Sequence, residues 1–227
     1  MKYLKKMASG GSVVAVEYDG GVLMGADTHL AYGNMAKCAN VPRSRIISGN
    51  AAVASTGDYA DFQAATRELM EDVLDDQMQE DGVQKSPAEL FNSLHRTVYH
   101  KRSEFTPYMC EFIMIGHDGA KPFMAAADSI GTRWTDKCLA TGYASHICIP
   151  LLRKAFEVKN GEPLTRAEAM AVLTDCMRTL FYRECRAVNR FQVAEACNGK
   201  VVLHEPVTLD TNWELEGFRF ETTAIIA

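Results

Sequence analysis

The chain has 227 residues, 47% of them apolar, and a net charge of −5. That is enough apolar sequence for one sizeable core. Lysine and arginine form no basic stripe, which removes the footprint of a nucleic-acid binder. No run of about 18 apolar residues occurs, so no segment reads as a membrane-spanning helix.

Met1 to Met7 is basic, with too little apolar length for a signal peptide, so a cytosolic or nuclear location is expected. The seven cysteines are Cys38, Cys110, Cys138, Cys148, Cys176, Cys185 and Cys197. Their number is odd and no C-x-x-C pair occurs, so neither a zinc site nor a disulfide framework is expected. Most read as small buried hydrophobes.

Ser12 to Tyr18 is rich in valine and alanine, Asp19-Gly-Gly21 is a turn signal, and Val22 to Ala26 follows. This predicts a hairpin. Ile46-Ile47 and Ala51 to Ser55, turned at Ser48-Gly-Asn50, predict another. Tyr59, Phe62, Thr66, Leu69, Val73 and Met78 then recur at helical spacing, predicting a helix that ends near Asp81-Gly82. Ser86-Pro-Ala-Glu89 is a capping box that opens a second helix carrying Leu90, Phe91, Leu94 and Val98.

The second half repeats this order. Glu111 to Gly116, Pro122 to Ala126, Arg133-Trp134 and Cys138 to Thr141 read as strands. Helical spacing returns from Tyr143 to Val158, where Pro150 disturbs the first turns. Thr165-Arg-Ala-Glu168 caps a fourth helix with Met170, Leu173, Met177 and Leu180 on its buried stripe. Arg190 to Ala196 and Val201 to Leu203 are the closing strands.

Strands, two helices, strands, two helices and strands predict an α+β fold. The pattern fits a four-layer αββα sandwich, two antiparallel sheets between helix pairs, in one domain. Beyond Leu203 the period is lost. The aromatic tail with Trp213, Phe218, Phe220, Ile225 and Ile226 reads as a frayed end or as an arm that docks on a neighbour.

Other candidates for chemistry are weak. The six histidines are His29, His95, His100, His117, His146 and His204, and His95 and His100 are not at the spacing that puts two ligands on one helix face. Glu71, Asp72, Asp75 and Asp76 form an acidic cluster on a helix, read as a solvated face or a charged contact. No metal, cofactor-binding or catalytic residue is expected.

Several stretches resemble beta subunits of the 20S proteasome. These are Gly21-Val-Leu-Met-Gly-Ala-Asp27, Ser55-Thr-Gly-Asp-Tyr-Ala-Asp61, Ala140-Thr-Gly-Tyr143 and Tyr182-Arg-Glu184. Gly57 to Gln63, Asn189-Arg-Phe-Gln192 and Thr211-Asn-Trp213 are similar to the beta-seven class of that family. The resemblance implies the sandwich of the N-terminal-nucleophile hydrolases, with the domain over residues 11–204. Residues 1–10 are then a short extension or propeptide remnant, and 205–227 a tail docking on neighbouring subunits. The implied partners are beta subunits on both sides of a seven-membered ring, the opposing beta ring and the adjacent alpha ring.

Active members of that family use an N-terminal threonine whose own amine, or a water it holds, takes the hydroxyl proton. Counting back from Asp27, which matches the family aspartate, puts the nucleophile position on Gly11. Glycine has no hydroxyl. The family lysine falls on Arg43, or on Arg45 if the strand is shifted, and the arginine fork is expected to fit an ammonium site badly. Thr141 and Glu184 match a family serine and aspartate, and Ala187 replaces a further serine. Asp27 then reads as a structural carboxylate bonded to turn amides. The resemblance implies a non-catalytic subunit. An alternative is a peptidase that uses Ser12, and a free-standing binding protein is a third reading.

Overall fold

A computed structural model describes residues 7–33, 35–80 and 82–214. Among these, fourteen strands and four helices alternate in the expected order. One sheet contains β1 (Ala8–Gly10), β4 (Leu30–Tyr32), β5 (Met35–Cys38), β6 (Ser44–Ser48), β7 (Ala51–Asp58), β8 (Cys110–His117), β9 (Pro122–Ala127) and β10 (Arg133–Trp134). The other contains β2 (Val13–Tyr18), β3 (Gly21–Asp27), β11 (Cys138–Thr141), β12 (Arg190–Cys197), β13 (Lys200–Leu203) and β14 (Val207–Thr208). All recorded pairings are antiparallel.

Helices α1 (Tyr59–Gln77) and α2 (Pro87–Ser103) cover the first sheet. Helices α3 (Ala144–Val158) and α4 (Arg166–Arg183) cover the second. Between the sheets lies a third apolar layer, with Val13, Ala15, Met24, Ala52, Ile113 and Ile115 buried from both sides. The alternation in β2 explains this: Val14 and Val16 face the helices, while Val13 and Ala15 face the other sheet. The result is the αββα sandwich.

Both capping boxes form. Ser86 and Thr165 each accept from the amide three residues on, and Glu89 and Glu168 reach back to the cap amide. Helix α1 stops at Gln77, several residues before the expected Asp81-Gly82. Pro150 lies inside α3, and the helix continues past it.

The ends of the sandwich are tied differently. The buried His117 Nδ1 accepts from the amides of Gly119 and Gly199, joining a turn of each sheet at 2.9 and 3.1 Å. Four cysteines are buried, Cys38 and Cys185 are exposed and Cys197 is intermediate; all are free thiols. No described helix is long and apolar enough to cross a membrane, and no described cluster of His, Cys, Asp and Glu could hold a metal ion.

Beyond Leu203 the chain is ordered against α4 as far as it is described. Leu209 is buried, Arg178 Nε donates to the Asp210 carbonyl at 3.1 Å, and Trp213 packs edge-on against Phe181 and Tyr182. Phe218, Phe220, Ile225 and Ile226 lie outside the described residues.

Candidate functional site

Gly11 sits where β1 hands over to β2, above the C-terminal end of β3. A Cβ built there would lie 3.0 Å from Asp27 Oδ2 and 3.4 Å from Glu184 Oε1. The position is therefore flanked by two carboxylates and carries no side chain of its own.

Arg43 approaches from the loop before β6 and is 2% exposed, among the largest fully buried side chains of the molecule. Its Nε donates to the Asp27 carbonyl at 3.0 Å. Its Nη1 donates to the carbonyls of Gly11 and Ser55, at 2.9 and 3.1 Å, and its Nη2 to the Ser12 carbonyl at 2.9 Å and to Asp27 Oδ1. A guanidinium has five N–H donors, and all of them are used here. The site here is shaped around the arginine fork. Gly10 makes the room, because a Cβ there would fall 2.5 Å from both Cδ and Nη1 of Arg43. Arg45 is not in the site; its Nη1 reaches Thr66 Oγ1 on α1 at 3.2 Å.

Asp27 is likewise not held mainly by turn amides. Its principal partner is Arg43, and His29 supplies one amide at 3.4 Å. Burial pushes its carboxyl above the ordinary range, and the Arg43 guanidinium pulls the other way. Burial also raises Glu184, against the hydrogen bond from Ser12, and the Asp27 charge adds to the rise.

Ser12 is 1% exposed. Its hydroxyl donates to Glu184 Oε2 at 2.8 Å and accepts from the Ala144 amide at 3.0 Å. Tyr143, the residue before α3, has no side-chain cap bond, so Ser12 supplies from another element an acceptor for the first helical amide. Both roles use the hydroxyl structurally, and its burial keeps it from an external carbonyl.

The remaining matches divide. Thr141 pairs with Val13 in β11, and its buried hydroxyl has no hydrogen-bond partner, so it does not join the cluster. Ala187 closes the turn after α4, its amide donating to the Glu184 carbonyl at 3.1 Å. Two features have no mark in the side-chain pattern. Glu111 Oε2 holds the Gly142 amide at 3.1 Å and Thr56 Oγ1 at 3.5 Å. Gly57 has φ +99°, and a Cβ there would collide with the Met109 carbonyl.

Strand β1 completes the site. Ser9 and Gly10 pair with Ala31 and Leu30 of β4 on one side, and with Asp58 and Gly57 of β7 on the other. Residues 8–10 are thus a sheet strand ending directly before Gly11. A groove of about 400 Å3 opens beside them, lined by Ser9, Gly10, Gly11, Gly57, Tyr143 and Glu184 among others.

The layer order, with a carboxylate and a cation converging on residue 11, is that of the N-terminal-nucleophile hydrolase class. A family model described as proteasome subunit matches residues 7–196. A proteasome subunit beta type-4 of Dictyostelium discoideum is 36% identical over 210 residues, covering 92% of this chain and 80% of its own length. A Xenopus laevis protein of the same name is 32% identical, covering 93% of this chain and 87% of its own. A probable proteasome subunit beta type-7 of Schizosaccharomyces pombe is 31% identical over 92% of this chain and 81% of its own. The chain belongs to the proteasome subunit family, among its beta subunits.

Proposed function

We propose that this chain is a non-catalytic, structural beta subunit of the 20S proteasome core particle. One observation carries the reading: the position matched to the nucleophile is Gly11, and the hydroxyl of the next residue, Ser12, is buried and bonded to Glu184 and Ala144. Without a nucleophile the covalent step is lost outright, whatever the rest of the site holds. Arg43 and β1 support the reading further. An arginine with all its N–H groups committed cannot serve as a neutral base, and the chain itself fills the space before residue 11.

The subunit then contributes position and interface, while other subunits cut peptide bonds. Its place is in a seven-membered beta ring, between an alpha ring and a second beta ring, in cytoplasm and nucleus. A ring needs heterologous contacts on two sides of each member. The tail over residues 205–227 is read as an arm that docks on neighbouring subunits.

The test is intact mass of the subunit from particles treated with a covalent threonine-directed inhibitor. No adduct is expected on this chain, while catalytic subunits of the same particle take one each. A stoichiometric adduct on Ser12 would overturn the reading. Gly11→Thr is expected to yield no peptidase activity on this subunit, because Glu184, Arg43 and β1 still occupy the surroundings.

A further inference from the structure

We propose that Cys148 and Cys176 are a disulfide modification site, closed across the seam between α3 and α4 by a peroxide and reopened by a thiol reductant. The proposal does not depend on whether residue 11 cuts.

Reciprocal contact places the two thiols for it. Cys148 lies in the second turn of α3, and Cys176 in the middle of α4. The Cys148 thiol donates to the Cys176 carbonyl at 3.6 Å, and the Cys176 thiol donates to the Cys148 carbonyl at 4.0 Å. Each sulfur therefore points at the other residue's main chain, and neither points away from the seam. Both residues are fully buried in the apolar layer that joins the two helices to the second sheet. A disulfide needs α-carbons within about 7 Å of one another. Two reciprocal contacts of this length hold the backbones near that range. The third cysteine of the same layer, Cys138, sits on β11 rather than on a helix, and it is the competing partner.

The chemistry balances with one peroxide. The thiolate of one cysteine attacks hydrogen peroxide; the O–O bond breaks, and a sulfenic acid and hydroxide form. The proton that this thiol gave up joins the hydroxide as water. The second thiol then attacks the sulfenic sulfur; the S–S bond forms, the S–O bond breaks, and a second water leaves. The two sulfurs together lose two electrons, and the peroxide gains them. A dithiol reverses the bond by exchange.

Burial makes the site slow, and that sets what it responds to. The hydrogen bond with the Cys176 thiol, and burial after it, hold the Cys148 thiol well above its ordinary range. Thiolate therefore forms only when the seam opens. Cys38 and Cys185 are exposed and meet peroxide first. The buried pair answers sustained oxidant. Once closed, it ties α3 to α4 between residues 28 apart in the chain.

The test uses the full chain with Cys38→Ser and Cys185→Ser, so that exposed thiols do not obscure the result. It is treated overnight with hydrogen peroxide in native buffer, blocked with iodoacetamide and digested with trypsin without reduction. The expected product is a linked pair of peptides, residues 138–153 and 167–178, lighter by two hydrogens than the two thiol peptides together. Peptide 138–153 holds both Cys138 and Cys148. Adding Cys138→Ala is therefore expected to leave the link intact, and adding Cys148→Ala to abolish it. The oxidised chain is expected to unfold at a higher urea midpoint, which dithiothreitol returns to its starting value. No link in the folded chain, or a link only above the urea midpoint, overturns the proposal. So does a link lost with Cys138→Ala or kept with Cys148→Ala. Oxidation that lowers the midpoint also overturns it, because the native seam would then not accommodate the bond.

Discussion

Two arginine–carboxylate pairs lie at opposite ends of the β2–β3 hairpin. At the β3 terminus, Arg43 and Asp27 are both buried, with side chains 1% and 3% exposed. At the other end, Glu195 is buried but its partner Arg166 is 55% exposed. Glu195 also accepts from the Tyr18 hydroxyl at 2.8 Å and pairs with His204 Nε2 at 3.0 Å. The two carboxylates are pushed in opposite directions. Burial raises Asp27. The hydrogen bond from Arg166 comes first for Glu195, opposed by burial and helped by Tyr18, and holds it at about 2. One carboxylate has three side-chain partners, the buried Tyr18 and the more exposed Arg166 and His204, and is comfortably ionised. The other has one dry guanidinium, whose remaining bonds go to main-chain carbonyls, and one long bond from the His29 amide. A buried pair of this kind contributes little net stability, yet breaking it is costly.

The sharpest break of the comparison is Arg43→Ala. It leaves the buried Asp27 with only the long bond from the His29 amide and removes the guanidinium from four carbonyls, and a loss of about 3–5 kcal/mol in urea unfolding is expected. Arg43→Lys keeps the charge, but an ammonium has three donors for the five bonds now made, so a smaller yet clear loss is expected from the same measurement. Asp27→Asn placed in the Arg43→Ala background should recover part of the loss, because it removes the stranded charge. No recovery would mean that the unsatisfied carbonyls, rather than the charge, dominate.

Ser12→Ala comes next. It removes the bond to Glu184 and the acceptor for the Ala144 amide, and about 1–2 kcal/mol is expected. Ser12→Thr, with its hydroxyl retained in a tight place, separates hydrogen bonding from packing. Removing the Thr165 cap of α4 by Thr165→Ala should cost about 1 kcal/mol.

The smallest effect is a pH dependence at the other end. The folded-state pKa of Glu195 lies below its ordinary value of 4.5, at about 2. Its contribution is therefore complete above about 4.5 and is lost as pH falls toward about 2. Glu195→Gln is expected to lower the urea midpoint at neutral pH and to flatten the decline across that interval. An unchanged acid limb would show that the exposure of Arg166 screens the pair entirely.

What the sequence made legible follows from where each signal is stored. The helices of the two capping boxes, the β2–β3 and β6–β7 hairpins and the layer order are written in local patterns and turns. The count from Asp27 back to Gly11 runs without a gap, because β2 and β3 pair in continuous register. Strands β1, β4, β5 and β14 are two to four residues long and carry no alternation that marks them. They become strands because of their neighbours. Arg43 stood among the candidates by position, but its role was hidden, since four of its five bonds go to backbone carbonyls. Ser12 and Glu184 are 172 residues apart, and neither residue announces the other.

Arg43 also has a place in time. Its acceptors belong to both sheets: Ser55 to β7, and Asp27, with Gly11 and Ser12 just before β2, to the hairpin of the second sheet. The guanidinium can shed its water only when the sheets have come together over the residues between them. That makes its bonds late events on the folding route, absent from a transition state in which each sheet is still assembling with its helices. Changes at Arg43 should then act on the unfolding rate and leave the folding rate nearly unchanged. Arg43 is, in kinetic terms, a latch that keeps the finished sandwich from opening.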